Sequence, residues 1–175
     1  MAEAQQAEGL SGIQALLDQM GSYKEVLEKE QAAQQQVQAE QTREEQQASG
    51  ELTALIEAAY LVAAADGRVS DVESRRLVER IGQVTGGRFS AAYIEETLRG
   101  AADRVHGDGA PARAESIASA LPSDELRRAA LLVASAVAWA EGGVGEREGL
   151  ALQALARAFG IPIGEMQRIL GQAHG

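Results

Sequence analysis

Six carboxylates stand in two short stretches with matching spacing. Asp66, Asp71 and Glu73 belong to LVAAADGRVSDVE (61–73), and Glu141, Glu146 and Glu148 belong to VAWAEGGVGEREG (137–149). The chain has no cysteine, and neither of its two histidines lies in these stretches. An all-oxygen donor set selects a hard ion, Ca²⁺ or Mg²⁺, with Mn²⁺ less favoured. Asp66 and Glu141 each close an apolar run at a helix end, where the dipole disfavours negative charge by about 0.3–1 kcal/mol. Apolar neighbours there would limit access to water, and a bound cation would offset both penalties. Ion pairing with Arg75, Arg76 or Arg147 would do the same. Asp71, Glu73, Glu146 and Glu148 fall in first helical turns, where acids are favoured and need no ligand to account for them. Two readings therefore stand side by side: a divalent-cation site or acidic docking patch assembled from both turns, and structural turns neutralised by arginine. Asp66 to Glu73 is too short a span for an EF-hand loop, so a cation site would have to combine the two stretches.

The elements that position these acids are helical throughout. Leu52, Leu55, Ile56, Ala59, Tyr60 and Val62 suit a largely buried helix ending at Asp66–Gly67. SDVE (70–73) is a capping-box pattern opening the next helix. Ser90 can cap AAYIEETLRGAA, GDGAP (107–111) interrupts, and Pro111 suits a first turn. Ser123 with Asp124 and Glu125 starts another helix, Glu146 to Phe159 forms one stopped at Gly160, and IPIGEMQRILGQA supplies the last. No segment has the alternation of a strand. The expected fold class is all-α, a compact bundle of about seven helices over residues 51–175.

Residues 1–50 differ in kind. They hold nine acids and three bases, against seventeen acids and thirteen arginines in 51–175. GIQALLDQM predicts a short helix, and Tyr23–Gln47 a longer one rich in Gln and Glu, with ASG at 48–50 as the break before the domain. Tyr23, Val26, Leu27, Ala33 and Val37 are its few apolar marks. They fit either an exposed helix or a weakly self-associating one spanning residues 13–47.

Sliding the chain on itself by 75 residues superposes Asp66 on Glu141, Gly67 on Gly142, Val69 on Val144, Asp71 on Glu146, Glu73 on Glu148 and Leu77 on Leu152. This is a duplicated helix–turn–helix, with a valine after each glycine turn placed to plug it into the core. AAADGRVSDVESRRL and AWAEGGVGEREGLAL, with the trailing ALARAFGIP, resemble the TerB-like tellurite-resistance domain family over residues 51–175. The resemblance implies a seven-helix bundle, a part in bacterial stress responses, a divalent-cation site in the acidic turns, and a scaffolding role among other proteins. Glu141 departs from the expected Asp, and Gly145 replaces a capping Ser or Asp.

Other chemistries are disfavoured by composition. A net charge of −10 with scattered arginines argues against nucleic acid. His106 and His174 have no Ser or Asp arrangement for nucleophilic catalysis, and no Glu-x-x-His pair exists for a di-metal bundle enzyme. GDG at 107–109 lacks the preceding strand of a phosphate loop. Trp139 reads as core. No uninterrupted apolar run of spanning length and no secretory signal are visible, giving an expectation of no membrane span and cytoplasmic location. The expected function is a non-enzymatic module that binds other proteins, with a divalent cation or without one.

Overall fold

A computed structural model describes the backbone of residues 2–140 and 142–174, and the side chains of 25–140 and 142–174. The order is α1 (Ala2–Ala63), a 3₁₀ turn (Ala64–Asp66), α2 (Asp71–Val84), α3 (Ala91–Asp108), α4 (Ala110–Ala120), α5 (Asp124–Ala140), α6 (Glu146–Ala158) and α7 (Ile163–His174). The described residues contain no strand, so the all-α expectation holds.

The chain divides into two compact units, Met1–Gln47 and Ala48–Gly175. The expected break at ASG (48–50) is absent from the backbone, because α1 runs unbroken through Ser49 and Gly50. The separate short helix likewise merges with its successor through Gly21. A glycine inside a helix costs about 1 kcal/mol relative to Ala, too little to stop a helix whose neighbours are Ala, Leu, Glu and Gln. In the first unit the described side chains, from residue 25 on, are solvent-exposed, including Val26, Leu27 and Val37. Met20, Ile13, Leu16, Leu17 and Tyr23 lie outside the described side chains.

In the second unit two helices are shared between two core clusters. The end of α1 gives Ala58, Leu61 and Val62 to a cluster with α4, α5, α6 and α7. Its Ile56, Ala59 and Tyr60 join α2, α3 and the Val133–Val137 face of α5. Helix α5 occupies the corresponding place in the second half of the repeat. Small alanines at 54, 58, 59, 130, 134 and 138 are all buried, allowing close helix approach where aromatics are scarce. The valine plugs are seen as expected: Val69 packs on one cluster and Val144 on the other.

By length and composition one segment among the described residues, Glu25–Asp66, is long and apolar enough to cross a membrane, although its uninterrupted apolar run, AAYLVAAA (58–65), is much shorter than a span. Its most apolar window is 44% buried in the structure, because its last turns build both cores. The expected interruption at GDGAP also shifts. Helix α3 continues through Gly107 and Asp108 and stops only at Gly109, whose φ of 82° ends one helix and begins the next. Gly160, at φ 72°, closes α6 in a left-handed conformation that L side chains adopt at a cost of about 1–2 kcal/mol.

Candidate functional site

The first turn of the repeat is held by reciprocal capping. The Ser70 N–H donates to Glu73 Oε2 at 2.7 Å, and the Glu73 N–H donates to Ser70 Oγ at 3.3 Å. These bonds, the backbone one foremost, hold the Glu73 carboxyl below its ordinary range. The second turn repeats half the device. The Gly145 N–H donates to Glu148 Oε2 at 2.7 Å, but glycine has no side chain to return the bond. Glu148 is buried, while Glu73 stays exposed.

The fold brings the two turns together. The 3₁₀ turn carrying Asp66 packs on α6, and Asp66 Oδ1 lies 4.0 Å from Arg147 Nε. Asp66 and Arg147, one from each half of the repeat, thus form an exposed ion pair at the limit of contact distance. The expectation that apolar neighbours shield Asp66 fails: its side chain is 71% exposed and that of Arg147 69%. The residues before it are alanines, too short to cover a carboxylate. An exposed pair of this kind contributes between about 0 and 1 kcal/mol. Arg75 instead donates to the Asp71 carbonyl at 3.3 Å, and Arg76 makes no salt bridge among the described residues.

Of the six carboxylates singled out by spacing, Asp66, Asp71 and Glu146 are exposed, Glu73 and Glu148 each commit one oxygen to a cap, and Glu141 lies outside the described residues. Among the described residues no three His, Cys, Asp or Glu gather as a metal group.

A different charged cluster went unrecognised in the sequence. Glu57, 3% exposed in the middle of α1's buried stretch, accepts from Arg104 Nε at 3.2 Å and from Arg113 Nε at 2.8 Å. Arg113 also donates to Asp108 at 3.2 Å. Its guanidinium is pushed above its ordinary pKa, chiefly by the hydrogen bond to Glu57. The signal was available: a single acid within the apolar run TALIEAAYLVAAA needs a buried partner. Which arginines supply it depends on how α3 and α4 turn at Gly109. This network fixes α1, α3 and α4 together and stands apart from the acidic turns.

Trp139, expected in the core, is only half-buried. Its Nε1–H donates to the Leu170 carbonyl at 3.1 Å, and its ring meets His174 edge-on at 4.3 Å. His106 is exposed, with its Nε2 3.4 Å from Arg68 Nη2.

Comparison with known proteins gives one family. The family model described as tellurite resistance protein TerB matches residues 53–170. Searches of the curated proteins and of the solved structures give no significant match.

Proposed function

Because this chain belongs to the tellurite resistance protein TerB family, we propose that it is a non-enzymatic binding module that docks other proteins in a bacterial stress response, in the cytoplasm. The reading is carried by the convergence of the duplicated turns. Asp66 beside Arg147 joins both into one surface, on which Asp66, Asp71 and Glu146 face solvent. Carboxylates turned outward suit contact with a basic patch on a partner, where complementary charge raises the encounter rate and sets register. Affinity capture from the host with wild-type chain and with Asp66→Lys/Asp71→Lys tests it. The same partner should be retained by the first and lost by the second. Equal retention by a folded variant removes the acidic turns from the interaction.

A second reading places a divalent cation, Ca²⁺ or Mg²⁺ before Mn²⁺, between the turns. The same proximity of Asp66 to the start of α6 supports it, with Asp66, Asp71, Glu146 and the uncommitted oxygens of Glu73 and Glu148 as donors. Arg147 would have to leave Asp66. Titration calorimetry with the three ions decides: saturable binding abolished by Asp66→Ala supports the site, and flat traces with an intact helical spectrum reject it.

A further inference from the structure

The edge of α2 beside its buried Leu77 and Ile81 borders a groove of about 510 Å³, whose other wall is α5. The half-buried Ala140 lies at its floor over the buried Val137, and Glu73, Arg76, Glu79 and Arg80 line its rim. The carboxylates there do not neutralise the guanidiniums by contact. Glu73 commits an oxygen to its cap, and Arg76 lies within Coulombic reach of it without a hydrogen bond or salt bridge. Arg80 bonds only the Gln83 carboxamide, at 3.4 Å, and Glu79 makes no salt bridge among the described residues. Among the described residues these two guanidiniums, one helical turn apart, thus make no ion pair beside the groove, in a chain with ten more acids than bases.

The first unit presents the complement. At 100° per residue, Val26, Glu30, Ala33, Val37, Glu40 and Glu44 fall on one stripe of α1, all exposed. Lys29 and Arg43 lie off it, so the stripe carries small apolar residues and acids only. Such a stripe is a poor seam for pairing with its own copy, because Glu30, Glu40 and Glu44 would meet like charges at positions that a coiled coil fills with apolar residues. Glu40 and Glu44 are separated by four residues, as are Arg76 and Arg80, and neighbours at that spacing on a helix lie about 5–6 Å apart. Val37 stands one turn before Glu40, placed to enter the groove.

We propose that the α2–α5 groove receives the acidic stripe of the α1 arm from a second copy of this chain, with Glu40 and Glu44 on Arg76 and Arg80 and Val37 over Val137 and Ala140. This is a helix-in-groove contact whose register is set by charge. It rests on the reading of this protein as a docking module and is independent of any cation.

Light scattering on the full chain in chelator, over a dilution series at low and high salt, tests it. Wild type should self-associate, less so at high salt, where exposed charges are screened beyond about 3 Å at roughly 1 M. Arg76→Glu/Arg80→Glu and Glu40→Arg/Glu44→Arg should each raise the dissociation constant about tenfold or more, with unchanged helical spectra. An equimolar mixture of the two variants should recover association, since every groove then faces an arm of opposite charge. A monomeric wild type overturns the self-docking and leaves the docking role of the acidic turns to the affinity-capture test. Association lost in the arm variant but kept in the arginine variant overturns only the groove assignment. Failure of the mixture to recover also overturns it, and an acidic helix of another protein binding the groove in preference to the arm would do so as well.

Discussion

Removing the Glu57 carboxylate is the sharpest test of how the second unit is held together. Glu57 is 4% exposed at its side chain and Arg113 is 13% exposed, so Glu57→Ala leaves a guanidinium largely out of water without its main partner. Breaking a buried pair from one side costs about 3–5 kcal/mol. Two features lower that figure. Arg113 keeps Asp108, whose side chain is 54% exposed, and Arg104, at 38% exposure, can turn to solvent. The expected loss is about 2–4 kcal/mol, equivalent to a fall in melting temperature of about 6–16 °C for a unit of this size. Urea unfolding followed by circular dichroism measures it. Arg113→Ala should cost a similar amount, because it leaves the carboxylate buried, while Arg104→Ala should cost less than about 1 kcal/mol. A double-mutant cycle between Glu57 and Arg113 should give a coupling of about 1–3 kcal/mol. If Glu57→Ala and Arg113→Ala each change stability by under about 0.5 kcal/mol, the network does not fasten α1 to α3 and α4, and the argument from burial fails.

Gly145→Ser should stabilise the domain by about 0.2–0.5 kcal/mol in thermal unfolding, because it supplies the cap that Ser70 gives the first turn. Its φ of −71° admits a side chain without strain. Gly160→Ala should destabilise by about 1–2 kcal/mol, since alanine must take φ 72° there. The capping bonds lower the folded pKa of Glu73 below its unfolded value, so this carboxylate stabilises the fold above the ordinary Glu range and the contribution fades as pH falls through the lowered pKa. The stability difference between wild type and Glu73→Gln should accordingly be present near neutral pH and shrink as pH falls through the lowered pKa of Glu73. Asp66→Ala should leave stability within about 0.5 kcal/mol, its pair with Arg147 being exposed; a larger loss would mean the turns are held by more than that contact.

The sequence by itself determined the helical class, the duplicated hairpin and most helix ends. These follow from local physics. Ser70, Ser90 and Ser123 satisfy first-turn N–H groups of their own helices, Gly109 and Gly160 take backbone angles other residues avoid, and the alanine-rich runs admit only close helix packing. The length of α1 was less legible. Glycines at 21 and 50 mark weak points, but a helix stops only where the cost of continuing exceeds that of ending, and nothing around them offers an alternative.

Only the tertiary structure decided the state of the charges. Asp66 sits at the disfavoured pole of its helix, as its position in the chain requires, yet whether a cation, an arginine or water answers it depends on what the fold brings alongside. The fold brings Arg147, from the other half of the repeat, to 4.0 Å from Asp66, and leaves both side chains open to solvent. Glu57 shows the same dependence more strongly: its partners lie 47 and 56 residues away along the chain. Local rules act over a turn or two of helix, whereas a carboxylate's neutralisation is a property of the space around it, and that space is filled from distant segments.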